Sequence, residues 1–179
     1  MREVPLKDMN YDPEILNRLA ACKDLCWAYN QLKPSDTDER TRAIKRILGK
    51  TGNRICVQSA FWCDFGRNIE VGEDFYANHG LTILDGAKVV FGAHVFVGPD
   101  CGFYTAGHPL DVERRNLGLE YALPIHVGSN VWIGGHVTVC PGVTIGDGTV
   151  IGAGSVVTHD IPENVLAAGN PCEIIRKLK

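Results

Sequence analysis

From Val127 onward an aliphatic residue returns every six positions: Val127, Ile133, Val139, Ile145, Ile151 and Val157. A second column follows four residues after each, at Val131, Val137, Val143, Thr149 and Ser155. The position directly after the first column holds Gly128, Gly134, Cys140, Gly146 and Gly152, and Thr158 breaks the rule. Between 127 and 158 the sole Asp, Glu, Lys or Arg is Asp147. Six is not a helical repeat, so an α-helix would scatter these apolar positions around its whole surface. Three short strands per coil, joined by tight glycine-assisted turns, would stack them in one inner column. The pattern predicts a solenoid of parallel strands.

The same register appears earlier with less regularity. Val71, Ala77, Ile83 and Val89 step by six; the register then slips by two, and Phe91 and Val97 resume it. Between about Thr105 and Leu123 it disappears. That stretch holds His108-Pro109, the charged run Asp111, Glu113, Arg114 and Arg115, and Glu120-Tyr121. A long polar excursion from an otherwise tight repeat is expected to be a functional loop.

Residues 1–52 read as a helical segment capping the solenoid of residues 53–179. Asp12-Pro13-Glu14 has an N-cap acid, a proline at the first helical position and an acid in the first turn. Ile15, Leu16, Leu19, Leu25 and Cys26 recur at roughly helical spacing until Pro34. Ser35 with Asp38 resembles a capping box that opens a second helix through Ile44, Ile47 and Leu48 to Gly49. The prediction is a helical hairpin.

Composition narrows the function classes. With 179 residues the chain reads as one domain, and 18 basic against 21 acidic side chains give a net charge of −3. That balance argues against a general polyanion binder, and no nucleic-acid partner is expected. No apolar run approaches the ~20 residues of a membrane span, and the charged N-terminus lacks a signal-peptide core. A cytoplasmic protein without a membrane partner is expected. Seven cysteines, an odd number with no C-x-x-C pair, read as reduced and mostly structural. Of the 20 glycines, 18 lie after position 65, which places them in the repeat.

The repeats, with F-Y-A-N at 75–78, L-T-I-L-D at 81–85, T-A-G-H-P at 105–109, N-V-W-I-G-G at 130–135 and A-A-G-N-P-C at 167–172, resemble the hexapeptide-repeat acyltransferases. The chain is most similar to their maltose and galactoside O-acetyltransferase branch. The resemblance implies a left-handed parallel β-helix and a homotrimer with acetyl-CoA in a groove between neighbouring β-helices. It implies acetyl transfer to a hydroxyl of a maltose, glucose or galactoside-like sugar, with no metal required.

Such a transfer needs a base for the hydroxyl proton and hydrogen-bond donors for the oxyanion. Among histidines 79, 94, 108, 126, 136 and 159, the resemblance singles out His108, in T-A-G-H-P, as general base. Glu120 is expected to orient the other ring nitrogen, or else to be a solvated loop acid or a partner of Arg114 or Arg115. Asn78, in F-Y-A-N, matches the asparagine that contacts the reaction centre, and its neutral amide donates without titrating. Tyr76, Asp64 and Asp85 are candidate sugar contacts, and Asp64 in place of the galactoside branch's serine points to the maltose-like side. Asp12 is either an acceptor contact or a helix cap.

For acetyl-CoA, the resemblance implies Trp132 against the pantetheine or the acceptor end, together with Asn78 and backbone groups at Gly135 and Ala153. Thr158, His159, Arg176 and Lys177 are candidates for the nucleotide and phosphates. Gly135 stands where the galactoside branch has serine and His159 where lysine is common, and Arg176 and Lys177 read equally as a solvated tail. Rival readings are a xenobiotic or serine O-acetyltransferase, a γ-type carbonic anhydrase and a non-catalytic assembly module. The second binds zinc through three histidines that include a His-x₄-His pair, and no two histidines here are five apart.

Overall fold

The computed structural model describes residues 6–8 and 11–179. Its body is a β-helix with three parallel faces. The first face stacks Lys50–Thr51, Ile69–Val71, Val89–Phe91, Ile125–Val127 and Thr144–Ile145. The second stacks Ile55–Val57, Phe75–Ala77, Phe96–Val97, Trp132–Ile133, Val150–Ile151 and Val165–Ala168, closed by the antiparallel strand Glu173–Lys177. The third stacks Phe61–Cys63, Leu81–Leu84, Gly102–Tyr104, Thr138–Val139 and Val156–Val157.

Each strand points its alternate residues inward, as the period of two requires. Both predicted columns lie in the core: Val131, Val137, Thr149 and Ser155 are fully buried beside Ile133, Val139 and Val157. The two buried hydroxyls bond carbonyls, Thr149 to Pro162 at 2.7 Å and Ser155 to Gly152 at 2.5 Å. Glycine follows the first column because the coils nearly touch there. A Cβ on Gly134 would sit 2.6 Å from the backbone nitrogen of Ala153 in the next coil. The left-handed turn positions form their own six-residue series, Asn130, His136, Gly142, Gly148 and Gly154, all with positive φ. His136, and His94 one coil earlier, are therefore turn residues.

The register slip has a wider cause than one irregular corner. Buried inner residues run Val57, Cys63, Val71, Ala77, Ile83, Phe91, Val97 and Phe103, with steps of six, eight, six, six, eight, six and six. The eight-residue step always joins the third face to the first. The excursion departs from this same corner one coil later, between Phe103 and Ile125. Three long corners are thus stacked: residues 64–68, 84–88 and 104–124.

The excursion is folded. Ala106–Gly107 pairs antiparallel with Leu119–Ala122, which also pairs with Lys7–Asp8, and the helix Val112–Asn116 spans the tip. Helices α1 (Pro13–Asn30) and α2 (Thr37–Ile47) cover the first coil. α1 buries Cys22, Cys26 and Tyr29, while Leu16 and Leu25 are exposed, contrary to the predicted apolar face. The Asn30 amide pins α1 through two hydrogen bonds to the Phe61 backbone, at 2.9 and 3.0 Å. Arg40 of α2 is buried, stacks on the Tyr29 ring and donates to Ser59 Oγ at 2.7 Å and to the Val57 carbonyl at 3.1 Å. The Ser35–Asp38 box does not form: α2 starts at Thr37, with Asp36 in the cap position. No helix among the described residues is long and apolar enough to cross a membrane.

Candidate active site

The stacked corners build one concave site. A cavity of about 400 Å³ is lined by Asp64 from the first corner, Leu84 from the second, Tyr104, His108 and Glu120 from the third, and Leu19 of α1. Asp85 organises it from below. Its side chain is fully buried, and its Oδ1 accepts from the amides of Asp64 at 3.0 Å and Phe65 at 2.9 Å. Oδ2 accepts more weakly from Asn68 N at 3.4 Å, and Asn68 Nδ2 donates back to the Asp85 carbonyl at 2.6 Å. Thr105 repeats the device one coil up, donating to the Leu84 carbonyl at 2.7 Å and accepting from Ala87 N at 3.0 Å.

His108 is half exposed on the strand Ala106–Gly107's exit, and both ring nitrogens have neighbours. Nδ1 lies 3.3 Å from the Leu119 carbonyl oxygen, and Nε2 lies 3.6 Å from Glu120 Oε1. A carbonyl only accepts, so it selects the tautomer with hydrogen on Nδ1 and leaves the Nε2 lone pair facing the cavity acid. The nitrogen expected to meet Glu120 is therefore held by backbone, and Glu120 stands beside the basic nitrogen. Asp64 faces the same cavity; burial, with Asp85 and Glu120 adding to it, pushes its carboxyl up to about 6. Burial likewise raises Asp85.

Two expected sugar contacts are differently employed in this structure. Asp12 caps α1, its Oδ1 accepting from Glu14 N at 2.9 Å and Ile15 N at 3.4 Å. Asp85 presents no accessible oxygen, because the corner's amides occupy it. A second cavity of about 450 Å³ shares Ala106 and Glu120 with the first and is lined further by Lys7, Arg18, Phe65 and Tyr121. There the Arg18 guanidinium stacks over the Phe65 ring at 5.1 Å.

Tyr76 and Asn78 lie elsewhere, on the second face. They line a groove of about 740 Å³ with Phe96, Trp132, Gly135 and Ala153. The Asn78 carboxamide oxygen accepts from His79 N at 2.8 Å, which leaves its two N–H donors for a partner. Phe96 and Trp132 are paired neighbours on adjacent strands, both more than half exposed. Tyr76 thus joins the residues expected to meet the cofactor, separate from the cavity of His108 and Asp64. Thr158 and His159 sit at the end of the third face, 3.3 Å apart through Oγ1 and Nδ1, with His159 Nε2 4.0 Å from Glu173. Arg176 and Lys177 are exposed on the closing strand. These four do not line the groove.

Three features escaped the sequence reading: Phe96, the Leu119 carbonyl and the Arg18–Phe65 pair. Phe96 had a usable signal, since it is a large apolar side chain at an outward strand position, like Trp132.

The model for the maltose acetyltransferase hexapeptide capping motif matches residues 8–52, and that for the bacterial transferase hexapeptide, with six repeats, matches residues 124–159. A Saccharomyces cerevisiae protein named as a candidate acetyltransferase is 54% identical over 97% of this chain and 88% of its own length. This chain is a hexapeptide-repeat acetyltransferase of the maltose and galactoside type. Among solved structures, a maltose O-acetyltransferase from Clostridium difficile is 42% identical, with a TM-score of 0.96 over 98% of this chain and 94% of that one. A galactoside acetyltransferase in complex with coenzyme A is 41% identical, with a TM-score of 0.92 over 95% of this chain and 85% of that one. A hexapeptide-repeat acetyltransferase from Vibrio cholerae complexed with acetyl-CoA is 38% identical, with a TM-score of 0.89 over 94% and 91%. In this acetyltransferase, then, the cap and repeat segments each have their own family counterpart, and Asp64 and His108 fall in the stretch between the two matched segments, in a cavity that Leu19 of the cap also lines.

Proposed function

We propose that this acetyltransferase moves the acetyl group of acetyl-CoA to a hydroxyl of a sugar acceptor, with His108 as general base. The observation that carries the reading is the His108 ring, held at Nδ1 by the Leu119 carbonyl with Nε2 turned to a cavity that also holds Asp64 and Glu120. Carboxylates and a tyrosine around a cavity of this size suit a polyhydroxyl ligand. The hydroxyl gives its proton to Nε2 and attacks the thioester carbonyl. Asn78 donates to the oxyanion that forms, and the imidazolium, stabilised by Glu120, returns the proton to the leaving thiolate. Asp64 holds the acceptor, while Asp85 keeps the Asp64 corner in place and Asp12 keeps α1 in place.

Acetyl-CoA occupies the second-face groove, with Tyr76, Trp132, Gly135 and Ala153 along the pantetheine, a placement supported by the groove's size and exposed aromatic lining. The coenzyme A and acetyl-CoA complexes of the similar structures support acetyl-CoA as the donor. Thr158, His159, Arg176 and Lys177 contact the nucleotide end. Because Asn78 and His108 line different cavities on different faces, the complete site forms between chains, in a homotrimer that also covers Phe96 and Trp132.

An acceptor screen with acetyl-CoA, detecting free thiol, tests the reading. Turnover is expected with maltose, glucose or a thiogalactoside. Preference for serine or chloramphenicol over every sugar would overturn the acceptor class.

A further inference from the structure

Cys22 and Cys26 stand one helical turn apart on the buried stripe of α1, and Cys63 faces them from the first coil. Cys22 Sγ lies 3.5 Å and Cys26 Sγ 3.7 Å from Cys63 Sγ, and all three sulfurs fall within 4.8 Å of one another. A point equidistant from three atoms so spaced lies about 2.0–2.4 Å from each, and a thiolate–zinc bond is about 2.3 Å. The triangle therefore has the dimensions of a metal's ligand set without any rearrangement. All three residues are buried, so water has little access to a fourth position. No fourth His, Cys, Asp or Glu among the described residues joins the group.

We propose that Cys22, Cys26 and Cys63 bind a soft monovalent cation of the Cu(I) class in a three-coordinate, all-sulfur site. Thiolates select soft ions, whereas zinc in structural sites takes four ligands, which this cluster does not supply. Each thiol that ligates releases one proton to the solvent, and no electron moves. The bound ion would tie α1 to the strand Phe61–Cys63. It takes no part in acetyl transfer, so this proposal and the catalytic reading fail independently.

The test is an anaerobic Cu(I) titration of the full chain against a bicinchoninate competitor. A Cys56→Ser background removes the exposed thiol. One equivalent bound, ultraviolet thiolate-to-copper charge transfer and a sulfur-only shell near ~2.3 Å by X-ray absorption are expected. Changes beyond the ligand shell alone cost ~10–100-fold in metal affinity, so Cys63→Ser should cost at least about a hundredfold. Far-UV circular dichroism checks the fold, and Cys22→Ala provides a second variant that keeps the core apolar. Affinity too weak to compete with bicinchoninate, oxygen or nitrogen in the shell, or stoichiometric binding untouched by both substitutions would overturn the proposal.

Discussion

The carbonyl oxygen of Leu119 lies 3.3 Å from Nδ1 of His108, eleven residues away across the excursion hairpin. The next residue, Glu120, brings its carboxylate to 3.6 Å from Nε2. One returning strand thus sets both the tautomer of the ring and the charge beside its lone pair. Neither function needs a residue outside that strand, so the hairpin behaves as one unit with the imidazole.

Removing the base leaves binding and oxyanion contacts in place. His108→Ala is expected to lower kcat at least ~100-fold, the usual range for general-base loss. The KM for acetyl-CoA should change little, because the substitution leaves the groove's own lining of Tyr76, Trp132, Gly135 and Ala153 intact. Steady-state kinetics with a saturating acceptor measure both, and wild-type turnover would remove His108 from the mechanism.

In the proposed mechanism Glu120 acts by charge, because the Leu119 carbonyl already fixes the tautomer. The His108 side chain is 48% exposed, so solvent screens the pair and ~1 kcal/mol is expected from it. Glu120→Gln should therefore lower kcat by roughly 5- to 10-fold. A loss as large as that of His108→Ala would show that Glu120, and not Leu119, holds the ring.

The second half of the repeat was legible because its apolar columns are uninterrupted from Val127 to Val157. The slip near Val89 was visible too, but its twin between Cys63 and Val71 was not. Asp64 to Asn68 resembles Leu84 to Lys88 in length and place but shares only the middle glycine, Gly66 and Gly86, and hexapeptide counting registers only what repeats. The apolar stripe on α1 differs from the sequence pattern for a related reason. Leu16 and Leu25 outrank Cys22 in hydrophobicity, yet the narrow seam over the first coil takes the cysteines. The excursion was found as a gap in the pattern, and the orientation of His108 could not be found at all, since a backbone carbonyl carries no residue identity. Asp85 looked like a ligand for the same reason: sequence shows a carboxylate and not the amides that turn toward it.

If the site forms between chains, two inactive variants must complement. Chains carrying His108→Ala and chains carrying Asn78→Ala, co-expressed in equal amounts, assemble at random. Each site drawing its base from one chain and its amide from a neighbour is then intact about a quarter of the time. Activity near a quarter of wild type per site is expected, against almost none for either variant alone. Light scattering fixes the assembly size, and no recovery in verified mixed assemblies would place both residues in one chain's site.

Asp85 links stability to the acceptor cavity. Asp85→Ala leaves the amides of Asp64 and Phe65 without their 3.0 and 2.9 Å acceptor, which should cost about 2–4 kcal/mol. Asp85→Asn keeps one oxygen and should lose less. Burial raises the Asp85 pKa above its unfolded value, so the folded chain holds the proton longer as pH rises. Its contribution therefore falls with pH, beginning at the unfolded carboxylate pKa and ending at the raised folded one. Asp85→Asn should remove that part of the slope and narrow its stability deficit towards neutral pH, measured by thermal unfolding at several pH values. The released corner also carries Asp64, so Asp85→Ala should raise the acceptor KM more than the acetyl-CoA KM. An acceptor KM left unchanged in a destabilised variant would separate the corner's stability from its chemistry and remove Asp64 from acceptor binding.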